Sequence, residues 1–274
     1  MSDMKGEYGR MVEVVDFHAH CFPDELARKA VPVLAKRAGV PPRVDGTLEG
    51  LKKSMAVSEV GYSVVLPIAT KPSQTEIINT WSAEIQGEGI ISFGSIHPGY
   101  EGWKDELLRL KELGLKGIKF HPDYQEFYVD EPRMFPIYEL AFKLDFMVVF
   151  HAGVDIGLPE PYHCTPERLL KLVEAFPGGR IVAAHLGSYS YWDDVEQFLV
   201  GKDIYLDTSY TLGWIEDEQA IRIITEHGYE KILFGTDSPW TDQAEEIDKL
   251  LNLGLDKKME DAILGGNAKS ILGI

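Results

Sequence analysis

The chain contains little cysteine and no long apolar segment. Its 274 residues include only two cysteines, Cys21 and Cys164, which are too few for a disulfide scaffold and are typical of a reducing cytoplasm. No apolar run approaches the roughly 18 residues that a transmembrane helix needs. Residues 1–10 are polar and lack the apolar centre of a secretory signal, so a cytoplasmic location is predicted.

Basic side chains are also scarce. Lysine and arginine together number 27 against 44 aspartates and glutamates, which gives a net charge of −17. Because a polyanion needs many Lys and Arg contacts, this balance disfavours nucleic acids and anionic membranes as partners. The charge balance says little about the substrate, and it leaves the formation of a homo-oligomer open.

The sequence has no Ser/Pro/Gly-rich linker, no internal repeat and no Gly-rich phosphate loop after an early strand. Hydrophobic residues make up 45% of the chain, enough for one large core. Residues 1–274 are therefore predicted to form a single domain, in which residues 1–10 are a peripheral N-terminal segment. The missing phosphate loop argues against a doubly wound open sheet.

Eight apolar runs alternate with stretches of helical periodicity. The predicted strands are residues 12–17, 62–67, 89–96, 115–120, 145–150, 179–184, 203–206 and 231–236. Helical patterns occupy residues 25–37, 47–59, 104–113, 165–176, 193–200 and 216–227, and residues 257–274 are predicted to form one or two more helices. Apolar strands alternating with helices predict an α/β fold with a parallel sheet covered by helices. Eight units in 274 residues fit a (β/α)8 TIM barrel, for which about 250 residues is typical.

Seven of the eight runs are followed directly by His or Asp, and only the run that ends at Pro67 is not. In this barrel the active site lies at the C-terminal ends of the strands, so these polar residues are predicted to converge. The first run leads into His18-Ala19-His20, and residues i and i+2 of an extended backbone face the same side. Two imidazoles that meet at one point suit Zn²⁺, which needs one or two further N or O ligands.

Six short motifs carry a resemblance to a known family. In chain order they are DFHAH at 16–20, GIKFHP at 117–122, FHAG at 150–153, AHLG at 184–187, FGTDSP at 234–239 and GGNA at 265–268. Together they resemble the amidohydrolase superfamily, in the branch of TIM-barrel metal-dependent hydrolases related to aminocarboxymuconate-semialdehyde decarboxylase. The resemblance spans nearly the whole chain and implies a small-molecule substrate without specifying which one.

The resemblance implies one divalent metal ion, Zn²⁺ in the first place and Mn²⁺ as the alternative. Its ligands would be His18, His20, His151 and Asp237. His185 matches a histidine that lies near the reacting water in relatives. His185 and Asp237 are the catalytic candidates, because either can take a proton and return it to a leaving group.

Lys119 ends the fourth strand and shares a face with His121. In some amidohydrolases a lysine here is carboxylated and bridges two metals, so a second metal bridged by carboxylated Lys119 is the alternative to a single ion. With one metal, Lys119 would contact a substrate carboxylate or carbonyl. His121, His163 and Trp240 are the other candidates for substrate binding, because they lie in or next to the loops that follow the strands.

Three functions fit the sequence. The leading one is a metal-dependent hydrolase of a small amide, lactone or ester. The alternative is a non-oxidative, metal-dependent decarboxylase (a carboxy-lyase) of a planar or aromatic carboxylic acid, which the aromatic loops favour. The third is a catalytically silent binding barrel, although every expected metal ligand is present.

Overall fold

Parallel strands alternate with helices throughout the computed structural model, which describes residues 12–274. The strands are β1 Val14–Ala19, β2 Val60–Val65, β3 Ile90–Ser92, β4 Gly94–Ser95, β5 Gly117–Phe120, β6 Met147–Phe150, β7 Ile181–Ala183, β8 Tyr205–Asp207 and β9 Ile232–Leu233. The helices are α1 Asp24–Ala38, α2 Leu48–Ser58, α3 Thr75–Glu84, α4 Trp103–Glu112, α5 Pro122–Gln125, α6 Phe135–Lys143, α7 Pro166–Ala175, α8 Trp192–Phe198, α9 Asp217–His227, α10 Gln243–Asn252, α11 Lys257–Asp261 and α12 Asn267–Leu272. Short 3₁₀ turns lie at Pro72–Gln74, Pro132–Met134 and Tyr229–Lys231, and a π-helical turn lies at Ala262–Gly266.

The strands form two parallel arcs, β1-β2-β3 and β4 to β9. β3 and β4 are separated only by Phe93, so they are one barrel strand whose first half pairs with β2 and whose second half pairs with β5. This stagger is what the tilt of strands in a closed barrel requires. At the other end of the order, Phe17 N donates to Phe234 O at 2.7 Å and Asp237 N to His18 O at 2.7 Å, which joins β1 to the chain leaving β9.

These contacts confirm the predicted TIM-barrel fold, with eight strands in chain order. Most predicted helices agree with the structure within one or two residues, and the 257–274 tail contains α11, the π-helical turn and α12. The first strand is shifted by two residues, from the predicted 12–17 to Val14–Ala19, and so includes His18, and the second is shifted from 62–67 to Val60–Val65. The predicted peripheral segment 1–10 lies outside the described residues.

The core has two layers. One hydrophobic cluster fills the space between strands and helices, and a smaller one fills the barrel interior with side chains such as Val15, Phe17, Phe93 and Val149. Leu272 of α12 belongs to the interior cluster, so this helix covers the N-terminal end of the barrel and leaves the opposite end open for the site. None of the helices between residues 12 and 274 has both the length and the apolarity needed to cross a lipid bilayer.

Candidate active site

A bulge in β1 directs the two histidines of the HxH motif toward the barrel mouth. Asp16 pairs with Ser63 and Ala19 pairs with Val65, so β1 has one residue more than β2 over this stretch. One extra residue reverses the alternation of side chains. Phe17, before the extra residue takes effect, packs into the barrel interior. His18 and His20 meet above it at the barrel mouth, where their Nε2 atoms lie 3.3 Å apart.

Hydrogen bonds fix which nitrogen of each imidazole carries the hydrogen. His18 Nδ1 lies 2.8 Å from Asp207 Oδ2, and His20 Nδ1 lies 2.8 Å from the carbonyl oxygen of Leu66. A carbonyl or carboxylate oxygen only accepts, so each neutral ring carries its hydrogen on Nδ1. Both Nε2 atoms then present bare lone pairs to each other.

Asp237 completes a triangle of ligand atoms. Its Oδ1 lies 3.1 Å from His20 Nε2 and 3.5 Å from His18 Nε2. Two ligands of a tetrahedral Zn²⁺ ion, each at about 2.0–2.1 Å from the metal, lie about 3.3 Å apart. Three lone-pair atoms at this spacing repel one another, and a divalent cation among them turns each repulsion into a bond. The donor set of two imidazoles and a carboxylate therefore fits a Zn²⁺ or Mn²⁺ ion.

His151 offers one more lone pair but lies outside this triangle. The carbonyl oxygen of Ser209 accepts from His185 Nδ1 at 2.8 Å, which places the hydrogen of His185 on Nδ1. His185 Nε2 then accepts from His151 Nδ1 at 2.9 Å. The Nε2 atom of His151 is left buried, with a lone pair and without a hydrogen-bond partner. Such an atom needs a ligand, as expected if His151 binds the metal.

A second group of three potential ligands contains His121, His151 and Asp155. The backbone N–H of Tyr124 donates to His121 Nδ1 at 3.3 Å, so the neutral ring has its hydrogen on Nε2 and donates it to Asp155 Oδ2 at 3.0 Å. The rings of His121 and His151 stack in parallel, with centroids 4.0 Å apart and planes at 7°, so their lone pairs do not converge. The second group is therefore a hydrogen-bonded His121–Asp155 pair with His151 stacked beside it. The His18 and His20 rings, in contrast, cross at 74°, and their lone pairs converge.

Lys119 is buried beside the triangle, with Nζ 3.3 Å from His18 Nε2. No carboxylate of the described residues lies within 4.0 Å of its ammonium. Burial lowers the pKa of Lys119 to about 8, and Asp207 and Asp237 oppose that shift from farther away. At pH 7 this side chain is therefore mainly a buried cation that faces the site without a direct counter-ion.

Asp207 is the main site residue that the sequence did not assign. Its Oδ2 holds His18, and its Oδ1 accepts from the backbone N–H of His185 at 3.1 Å and from Ser209 Oγ at 2.5 Å. Burial acts to raise its pKa, but the charge and hydrogen bond of His18 hold the pKa of Asp207 well below the ordinary value. It is thus a permanent carboxylate that orients a predicted metal ligand. The sequence did contain a signal for this residue, because Asp207 directly follows the seventh predicted strand.

Two predicted catalytic residues have unusual backbones. His185 has φ 61° and Asp237 has φ 68°, both in the left-handed region that side chains with a Cβ rarely adopt. Such conformations cost about 1 kcal/mol or more and persist only where surrounding bonds impose them. Here the backbone N–H of His185 donates a hydrogen bond to the Asp207 carboxylate, and the backbone N–H of Asp237 donates one to the carbonyl oxygen of His18 at 2.7 Å.

A cavity of about 740 Å³ opens above these residues. Most candidates from the sequence line it, namely His20, Lys119, His121, His151, His185, Asp237 and Trp240. Tyr124, Tyr189 and Tyr210 add flat walls. His163 is not part of this lining, because Asp123 Oδ1 holds its Nδ1 at 2.6 Å and its backbone N–H at 2.8 Å. Asp155, which lines the cavity from a loop, carried no sequence signal.

Comparisons with known proteins agree with this architecture. A family model described as amidohydrolase matches residues 15–274. The fold is similar to that of an uncharacterized TIM-barrel protein from Bordetella bronchiseptica, with 18% identity, a TM-score of 0.78 and coverage of 96% of this chain and 99% of that chain. It is also similar to 5-carboxyvanillate decarboxylase from Sphingomonas paucimobilis, at 15% identity and TM-score 0.72, covering 96% and 99% of the two chains. A dihydroxybenzoic acid decarboxylase from Polaromonas sp. JS666, solved with manganese and 2-nitroresorcinol, has 19% identity, TM-score 0.71 and coverage of 96% and 97%.

Proposed function

The chain belongs to the amidohydrolase family and is an enzyme of that superfamily, and on this premise we propose that it is a metal-dependent decarboxylase of a planar, aromatic carboxylic acid. The two named decarboxylases of the same fold support this alternative over the hydrolase that the sequence ranked first. Both relatives act on aromatic acids according to their names.

The observation that carries the proposal is the buried ammonium of Lys119. An ammonium held in a cavity without a direct carboxylate partner is stabilised by an anionic ligand, and a carboxylic acid supplies one. A neutral amide, lactone or ester would leave that charge uncompensated. The aromatic walls formed by Tyr124, Tyr189, Tyr210 and Trp240 suit a flat ring, which supports the same choice.

His18, His20 and Asp237 would hold the metal ion, with His151 as the further predicted ligand. When bound, a divalent ion supplies positive charge that polarises an oxygen of the substrate. Zn²⁺ and Mn²⁺ both suit imidazole and carboxylate ligands, and the Polaromonas relative contains manganese.

The residues of this chain would bind the acid and move one proton. Lys119 would pair with the carboxylate, and the aromatic walls would hold the ring and exclude water. Decarboxylation breaks the bond between the ring carbon and the carboxyl group, leaves the electron pair on that carbon, releases CO₂ and needs one proton at the same carbon. His185 and Asp237 are the proposed proton carriers. In His185 a proton would exchange at Nε2, which accepts from His151 Nδ1 in this structure, because Nδ1 donates to the carbonyl oxygen of Ser209.

The test separates decarboxylation from hydrolysis. The purified chain is loaded with Zn²⁺ or Mn²⁺ in parallel and incubated with hydroxylated benzoates, aromatic lactones and anilides. We expect CO₂ release from at least one aromatic acid, together with the ring product that retains one solvent-derived hydrogen. Hydrolysis of a lactone or anilide, without CO₂ release from any acid, would contradict the proposal and restore the hydrolase.

A further inference from the structure

The cavity extends well beyond the metal-binding end. Its far wall is an apolar groove between α1 and α3, formed by Leu26, Ala30, Val33, Ile77 and Ile78. We propose that this groove holds an extended apolar substituent of the substrate, so that the substrate is an amphiphilic acid with its carboxylate at Lys119. The identity of the carboxylate end rests on the proposed function.

Several exposed apolar side chains lie together on this cavity. Leu26, Val33 and Ile77 are 49%, 59% and 71% exposed, and Ile156 on the neighbouring loop is 43% exposed. All four line the one cavity, although only nine large apolar side chains of residues 12–274 are exposed at all. Isolated exposed apolar residues are ordinary, whereas a group of them around one cavity indicates a binding surface.

The size and polarity of the cavity support a long ligand. A volume of about 740 Å³ lies in the upper part of the roughly 300–1,000 Å³ typical of sites for drug-sized molecules. A single-ring acid would leave most of it filled with water against apolar side chains. Lys119, His185 and Asp237 lie together at the barrel end, whereas the groove side chains Leu26, Ala30, Val33, Ile77 and Ile78 are apolar, so the cavity matches a molecule with one polar and one apolar end.

Continuity with the site favours the substrate as the occupant. The groove and the metal-binding residues line the same cavity, so a ligand bound at Lys119 reaches the groove without crossing a wall. Lys29 and Arg37 of α1 stand on the same lining, and their charge favours the entry of an anion into a chain whose net charge is −17.

The test measures binding, so it does not depend on turnover. The affinities of benzoate, 4-butylbenzoate and 4-octylbenzoate for the metal-loaded protein are compared by calorimetry, below the concentrations at which the long acids form micelles. We expect affinity to rise with chain length, by up to about fourfold for each methylene group that enters the groove.

Matched substitutions locate the effect. Val33→Gln combined with Ile77→Gln makes the groove polar at two exposed helix positions, so folding is expected to be retained. This pair should reduce the gain from benzoate to 4-octylbenzoate by at least tenfold and leave the affinity for benzoate unchanged. Val57→Gln is the control, because Val57 is 83% exposed on α2 and does not line the cavity.

Three results would overturn the inference. One is an affinity that does not depend on chain length, and another is the same dependence in the groove variant and the wild type. The third is concentration-dependent dimerisation in sedimentation that the groove substitutions abolish, which would assign the groove to a second copy of the chain. If binding depends on chain length but no acid releases CO₂, the groove proposal stands and the decarboxylase proposal is refuted. If an acid releases CO₂ but binding does not depend on chain length, the decarboxylase proposal stands and the groove proposal is refuted.

Discussion

The position of one hydrogen on each imidazole decides what the site can bind. His18, His20 and His151 present bare Nε2 atoms, whereas His121 carries its hydrogen on Nε2 and donates it to Asp155. An acceptor at Nδ1 therefore leaves a lone pair on Nε2, which is open to a metal ion in His18, His20 and His151 and accepts from His151 in His185. A backbone N–H at Nδ1 instead makes Nε2 a hydrogen-bond donor, as in His121. The sequence indicates where histidines meet, but it does not give these partners.

Replacing Asp207 should weaken metal binding. Asp207→Asn removes the charge that holds the hydrogen of His18 on Nδ1, so Nε2 loses part of its lone-pair character and orientation. We expect metal affinity, measured by competition with a chromophoric chelator, to fall about 10–100-fold. Asp203→Asn is the control, because Asp203 is exposed and pairs with Lys231 at the surface. Equal affinities in the two variants would mean that Asp207 does not orient the ligand.

His185→Asn should separate metal binding from proton transfer. Both ring nitrogens of His185 are engaged within the protein, Nδ1 with the carbonyl oxygen of Ser209 and Nε2 with His151 Nδ1, so His185 offers no free lone pair to the metal. We expect metal content, measured by elemental analysis, to stay at about one ion per chain and kcat to fall by about 10²-fold or more. Loss of the metal would instead identify His185 as a ligand.

Lys119→Gln tests the role of the buried ammonium. Removing a charged hydrogen-bond donor should raise KM or Kd for the acid by roughly 10–100-fold, since such bonds contribute about 1.5–3 kcal/mol. Metal content should not change, because the unmodified side chain is not a ligand when one ion is bound. A loss of metal in this variant would favour the carboxylated lysine that bridges two metals.

For the strands and helices, the sequence predicted which elements exist and in what order better than it predicted the local geometry of each element. Eight runs of Val, Ile and Phe were sufficient to place eight strands, because fully buried parallel strands are apolar throughout. The β1 bulge was not predictable, since it depends on how Asp16 and Ala19 pair with a strand more than forty residues away. Likewise, Asp155 reaches His121 only because its loop folds back over the site, which no local pattern encodes.

Helix α10 contains a buried carboxyl group whose ionisation should destabilise the fold. Burial raises the pKa of Glu246 from 4.5 to about 7, although Lys249 lies 2.6 Å away. Between these values the unfolded chain is ionised while the folded chain keeps its proton, so folding stability falls as pH rises, by at most about 1.4 kcal/mol per pH unit. Glu246→Gln should therefore gain stability over the wild type between pH 4.5 and 7 and keep a constant difference above that range.

Urea denaturation at several pH values checks this prediction. Glu245→Gln is the matched control, because the neighbouring Glu245 is 56% exposed and pairs with Arg43. A stability difference between the wild type and Glu246→Gln that does not vary with pH would show that the carboxyl group is already ionised in the folded protein.

At the scale of the whole molecule, the metal would link the two ends of the strand order. His18 lies in β1, His20 directly follows that strand, and Asp237 follows β9, so an ion bound to all three adds a cross-link at the point where the ring closes. Removing the metal with a chelator should lower Tm by on the order of 10 °C, as expected for an ion present at about 1,000 times its Kd. Scanning calorimetry gives the shift, and Asp237→Asn should show little change on chelation.

The closure of the barrel beside the site also has a consequence for biosynthesis. Asp16 receives hydrogen bonds from the backbone and hydroxyl of Thr236, 220 residues farther along the chain, at the same junction that carries His18 and Asp237. A ribosome must therefore synthesise the chain as far as Asp237 before these predicted ligands can meet. Contacts of such long sequence separation form late, because their loop entropy must be overcome first. Asp237 would thus stay apart from His18 and His20 until the barrel closes, and capture of a metal ion by all three would follow that closure.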